Sequence, residues 1–224
     1  MNITKSTKVG DVATQYPLAT RVFARHSIDF CCGGGKPLSE ACMKVGIEVD
    51  TVLAEIDKEI STTDRRGERW DEKSLDLLIE HILVEYHRPL DEELPRLEAL
   101  ARKVNDVHAD KAPETLPGIL STFLSLRTEL EQHMAKEERI LFPMIQSGQG
   151  AMAEEPVAVM EREHESAGAA LKRLRELTNN FELPEEACNS WRALWVGLEA
   201  FEKALHEHIH LENNILFPRA LQSG

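Results

Sequence analysis

The chain has 224 residues, 42% hydrophobic, 29% charged and only 5% aromatic, which suits a helical bundle with a small companion and disfavours an all-β sandwich. Twenty-six basic against 39 acidic residues leave a net charge of -13, so nucleic acid and an anionic membrane face are both excluded as partners. No stretch reaches the ~18 apolar residues of a membrane span, Met1–Lys8 has no apolar signal core, and four cysteines in this length do not make a disulfide scaffold; a cytoplasmic location is expected.

Residues 1–60 predict a small helical domain. Short segments of helical periodicity run over Val9–Tyr16, Leu18–His26, Leu38–Val45 and Val49–Ile60, with the loop Cys31-Cys32-Gly33-Gly34-Gly35 between the second and third. Residues 61–73 are polar and aperiodic, which predicts a linker. Residues 1–60 hold 7 basic and 8 acidic groups, so nearly all the negative charge belongs to the remainder.

Residues 74–224 predict four long amphipathic helices. The first spans Ser74–Val107, with Leu83, Val84, His87, Leu90 and Leu94 on one face and a kink expected at Pro89 and Pro95. The second spans Leu116–Gln146, its face reading Ile119, Phe123, Leu126, Leu130, His133, Glu137, Ile140, Leu141 and Met144. The third, Glu154–Thr178, shows Val157, Met160, His164, Ala167, Leu171 and Leu174. Asn179-Asn180 and Pro184 precede the fourth, Pro184–Leu221, with Leu194, Leu198, Phe201, Leu205, His208, Glu212 and Ile215. Short connections between four such helices give an all-α fold, an up-down-up-down four-helix bundle beside the small N-terminal helical domain.

Each apolar face carries one histidine near its centre. On the second and fourth helices a glutamate follows four residues later, His133-x-x-x-Glu137 and His208-x-x-x-Glu212, one turn on and about 6 Å away. The segment His133–Pro143 aligns without gaps on His208–Pro218, and His87 and His164 precede these by 46 and 44 residues. The bundle is thus two copies of one helical hairpin. Counted from the helix ends, all six groups sit roughly 15–20 Å below one rim, so they converge.

Two facing glutamates in a core cost several kcal/mol unless a cation lies between them. Nitrogen and carboxylate donors without thiolate suit Fe, Mn or Zn, and six donors exceed one tetrahedral zinc. If both glutamates bridge two octahedral ions, with the four histidines terminal and an oxo or hydroxo bridge, two positions stay open for an outside ligand.

The array of His and His-x-x-x-Glu on four helices resembles hemerythrin. The phrase Ile28-Asp29-Phe30-Cys31-Cys32-Gly33-Gly34, followed by Lys36 and Leu38, resembles the small domain fused to it in the iron–sulfur cluster repair di-iron proteins (the YtfE/ScdA/RIC family). Tyr86-His87, Lys103–His108, Glu137–Pro143 and Glu161-x-x-His164-Glu165 extend the likeness over essentially the whole chain. The resemblance implies two iron ions in a non-haem centre, with His87, His133, His164 and His208 terminal and Glu137 and Glu212 bridging. It implies repair of iron–sulfur clusters damaged by nitrosative or oxidative stress, by iron donation, by NO chemistry, or by both. The partners implied are damaged or apo iron–sulfur proteins as iron acceptors and NO, O2 or peroxide as small ligands, with a homodimer among the assemblies left open. The alternatives are an NO-reducing enzyme and an O2- or NO-binding sensor or carrier. Oxygen-carrying hemerythrin uses five histidines, and four are in register here, which disfavours reversible O2 carriage.

Cys31 and Cys32 are a candidate thiol pair for handling metal, NO or another thiol. Adjacent Cα atoms about 3.8 Å apart do not readily support a bond between them. Cys42 and Cys188 are expected to be packing residues. His108, about 31 Å along the helix from His87, is too distant to join the same centre. His81 falls off the ligand face, and His206 and His210 are expected to point away from it as solvated charges. Glu138, Glu161, Glu163 and Glu165 are expected on outer faces, one or two of them orienting a ligand imidazole.

Overall fold

The computed structural model describes residues 3–62 and 68–223. It is all-α, with one antiparallel bridge, Lys8 to Pro37, among the described residues. Four helices form the N-terminal part: α1 (Val9–Gln15), α2 (Ala19–Arg25), α3 (Leu38–Lys44) and α4 (Val49–Thr62). They enclose their own apolar cluster, centred on Val12, Phe23, Leu38, Val52 and Ile56. Of the linker expected at 61–73, residues 63–67 lie outside the described residues. Its far end is not loose chain. Trp70–Glu72 form a helical turn, Trp70 stacks on His81 with ring centroids 3.9 Å apart, and Arg219 donates to the carbonyls of Trp70 and Lys73.

The bundle begins where the Ser74 hydroxyl accepts from the amide of Leu77 at the start of α5 (Leu75–Ile82). A π turn, Leu83–His87, leads into α6 (Arg88–His108). The second long helix is α7 (Thr115–Lys136), a π turn Glu137–Leu141, and α8 (Phe142–Gln146). The third, α9 (Glu154–Leu177), is uninterrupted; the fourth is α10 (Asn189–Leu211), a π turn Glu212–Leu216, and α11 (Phe217–Gln222). Helix α6 packs on α7, α7 on α9, α9 on α10 and α10 on α6, closing the ring of four. No helix among the described residues is long and apolar enough to cross a membrane.

Each π turn is followed by a proline at the second position of the next helix: Pro89, Pro143 and Pro218. Proline lacks the N–H that an α-helix would bond to the carbonyl four residues back. Widening the turn ahead of it accommodates that loss without ending the helix. The wider turns also shift which residues face inward. Val84 and Ile140, expected on the core faces, lie inside π turns and are 54% and 53% exposed.

The bundle core is divided in two. One cluster, built on Leu97, Phe123, Leu126, Leu171, Trp191 and Leu198, fills the half nearer the ends of α6 and α9. The other, built on Ile79, Ile82, Phe142, Met160 and Phe217, fills the opposite half. A polar layer separates them.

Candidate metal centre

That layer consists of His87, His133, Glu137, His164, His208 and Glu212, each no more than 3% exposed. Four long helices supply the imidazoles, and two π turns begin on the glutamates. Nε2 of His87 lies 3.1 Å from Nε2 of His208, and Nε2 of His133 lies 3.0 Å from Nε2 of His164. Glu137 Oε2 stands 3.5 Å from His87 Nε2 and 3.3 Å from His133 Nε2. Glu212 places Oε1 2.9 Å from His208 Nε2 and Oε2 3.2 Å from His164 Nε2.

The donors form two four-membered groups, His87–Glu137–His208–Glu212 and His133–Glu137–His164–Glu212, and within each the ligand atoms lie within 4.8 Å of one another. Both glutamates belong to both groups. The separations suit cation binding, since neighbouring ligands at right angles, each ~2.1 Å from one ion, stand ~3.0 Å apart.

The outer ring nitrogens determine what the inner ones present. Nδ1 of His87 donates to Glu138 Oε1 at 3.0 Å, Nδ1 of His133 to Glu163 Oε2 at 2.9 Å, and Nδ1 of His164 to Asn213 Oδ1 at 2.8 Å. With the proton held at Nδ1, each Nε2 turns a lone pair inward. Among the described residues, both oxygens of Glu137 and Oε2 of Glu212 are buried without a hydrogen-bond partner. A buried pocket lined by acceptors is costly by itself and complementary to cations. These residues therefore fit a metal group.

The orienting carboxylates are themselves anchored. Glu138 is paired with Arg88 at 3.0 Å and Glu163 with Lys136, and these ion pairs together with the imidazoles outweigh partial burial and hold both carboxyls below their usual range. Glu138 and Asn213 occupy equivalent positions in the internal repeat, one residue after Glu137 and Glu212, and do the same work on His87 and His164. Glu163 and Tyr86 are likewise equivalent, but Tyr86 stacks its ring on His208 with centroids 5.4 Å apart, and Nδ1 of His208 has no partner among the described residues.

The Cys31–Cys32 loop docks beside this layer. Cys32 Sγ lies 3.5 Å from the His164 carbonyl oxygen, and Cys31, 4% exposed, packs into the bundle's own core. The two sulfurs are 3.9 Å apart and both thiols are free. The hydrogen bond to Cys32, then burial, pushes the Cys31 thiol well above its ordinary value, so Cys31 stays protonated.

The clasp is Asn214, which donates from Nδ2 to the carbonyls of Phe30 at 3.3 Å and Cys31 at 3.1 Å. Its side chain enters a notch between Gly10 and Gly34, where an added Cβ would come within 2.9 Å and 3.0 Å of Asn214 Cγ. Asn213 and Asn214 were not among the residues singled out from sequence, although the repeat carried the signal: Glu138-Arg139 in the first copy is replaced by Asn213-Asn214 in the second.

Two expectations are corrected. His210 is not a solvated charge: it is 5% exposed, packs on Phe30 with ring centroids 5.6 Å apart and takes a hydrogen bond from Asn214, and burial lowers it to about 4. His206 also faces Phe30, at 6.3 Å. Cys188 is exposed at the start of α10, because the chain turns there instead of continuing the helix back to Pro184. Cys42 is buried as expected.

The hemerythrin HHE cation-binding domain family matches residues 78–220, and a domain family of unknown function, ScdA_N, matches residues 5–59. The iron–sulfur cluster repair protein YtfE of Yersinia pseudotuberculosis serotype O:1b is 44% identical over 218 residues, covering 97% of this chain and 98% of the relative. A protein of the same name from Yersinia pestis strain Pestoides F is 43% identical with the same coverage.

Proposed function

The chain belongs to the hemerythrin HHE family, among the iron–sulfur cluster repair proteins, and we propose that it repairs clusters damaged by nitrosative or oxidative stress through two iron ions held by its buried polar layer. His87 and His208 would be the terminal ligands of one ion, and His133 and His164 those of the other. Glu137 and Glu212 would bridge them. The observation that carries this reading is the sharing of both glutamates by the two donor groups, with three of the four imidazoles held from outside through Nδ1. When bound, an iron pair would supply exchangeable iron and redox chemistry toward NO, O2 or peroxide.

The chain's own residues account for retention and for release. Glu138, Glu163 and Asn213 hold three imidazoles at fixed angles, and the two apolar clusters keep bulk water from the layer. The docked thiols of Cys31 and Cys32 would receive a departing metal or exchange thiols with an acceptor. Four free cysteines suit a reducing compartment, in keeping with a cytoplasmic location.

The test is metal content followed by transfer. About two irons per chain, lost stoichiometrically as an apo iron–sulfur acceptor regains its cluster, support donation. Turnover of NO with the iron retained would replace donation by catalysis, and one zinc per chain would overturn the centre itself.

A further inference from the structure

A second group of reactive side chains lies far from the polar layer, where α6 ends and α10 begins. His108 is the last residue of α6, and its Nε2 stands 3.3 Å from Sγ of Cys188, the exposed residue immediately before α10. The imidazole is seated against Trp191, ring centroids 5.2 Å apart, and Trp191 is 3% exposed within the bundle core. Nδ1 of His108 is buried without a partner among the described residues, as are Nε1 of Trp191 and Oδ1 of Asn105 one turn earlier.

The buried Nδ1 decides where the ring proton resides. A stranded N–H is rarer and costlier than a stranded lone pair, so the neutral ring carries its hydrogen on Nε2, facing the sulfur. A sulfur offered an imidazole N–H at the N-terminus of a 23-residue helix is favoured as thiolate. The amides of Trp191 and Ser190 act in the same direction against desolvation, and Lys103 adds its charge from α6. The opposing charges in the adjoining chain are Glu185 and Glu186. Unlike Cys31, which is buried and held protonated, Cys188 is open to solvent.

We propose that the Cys188–His108 pair is a site of reversible thiol–disulfide exchange that takes up half of a low-molecular-weight disulfide. The Cys188 thiolate attacks one sulfur of the disulfide. A new S–S bond forms as the old one breaks, and the released half leaves as a thiolate that takes a proton from water. Cys188 is oxidised and the leaving half is reduced, so the step needs no further reactant. The Nε2–H of His108 holds the attacking sulfur ionised and is a positioning group, not a nucleophile.

The test uses the full chain and cystamine from pH 5 to 9, with each cysteine followed by peptide mass spectrometry and the urea-unfolded chain as reference. Each unit by which a thiol's pKa falls raises its thiolate about tenfold, and after the accompanying loss of nucleophilicity the rate near neutrality rises about threefold. Cys188 is expected to gain the half-cystamine adduct first, faster at pH 7 than in the unfolded chain, and to lose it to dithiothreitol. His108→Phe, which keeps the packing on Trp191 and removes the donor, is expected to move the midpoint of the pH–rate profile up toward the unfolded value. An unmoved midpoint in a folded His108→Phe chain overturns the pairing. A folded wild-type chain whose Cys188 titrates like the unfolded thiol overturns the site, and that comparison stands even if the variant does not fold.

Discussion

Replacing Gly34 with alanine is expected to open the clasp between the cysteine loop and the bundle while leaving the polar layer intact. An ideal Cβ at position 34 comes within 3.0 Å of both Asn214 Cγ and the Phe30 carbonyl oxygen, closer than ordinary packing allows. Either the loop lifts or Asn214 swings out, and in both cases the bonds to Phe30 O and Cys31 O are lost. At ~0.5–1.5 kcal/mol each, these amount to about 1–3 kcal/mol. With a decade per 1.4 kcal/mol, the open population rises roughly 5- to 150-fold. The assay is alkylation of Cys31, which at 4% exposure reacts only when the loop lifts, so its rate reports the open population. Metal content should not change, because none of the six inward donors moves. Gly35→Ala is the control, since nothing lies within 4 Å of the Cβ it would add. Equal Cys31 rates in Gly34→Ala and Gly35→Ala would refute the clasp.

Glu163→Ala should lower metal affinity about 10- to 100-fold by freeing Nδ1 of His133, whereas Glu161→Ala, on an exposed position, should not; competitive chelator titration distinguishes them. Stripping the metal should leave the fold helical but less stable, because the acceptor-lined pocket then has nothing to pair with. An ion present at a thousandfold excess over its Kd contributes about 4 kcal/mol, which for a chain of this size is roughly 8–16 °C in thermal midpoint. Identical midpoints with and without metal would count against the cation layer.

The bundle and the meeting of its six inward donors were legible because period, repeat and depth all point to the same faces. His133 and Glu137 share a face whether the turn between them and the next residues is α or π, so the ligand pairing survives an error in backbone type. Val84 and Ile140 do not share that protection, and it is there that a straight 3.6-residue period fails. Tertiary docking was beyond local pattern: the burial of Cys31 and His210 depends on contacts across some 180 residues of chain. The exposure of Cys188 turned on where α10 starts, and helix boundaries are poorly determined by periodicity when a proline lies a few residues upstream.

Because His208 Nδ1 meets no partner among the described residues, the two halves of the polar layer are unequal. His133 and His164 are both braced from outside, while His87 is braced and His208 is merely covered by the flat ring of Tyr86. Loss should therefore be staged: graded chelation is expected to strip the His87–His208 end first and to pause at a half-emptied protein, instead of passing from full to bare in one step. A repair protein with one loosely kept ion and one firmly kept ion could give up a single atom and still have an ordered cradle ready to be refilled.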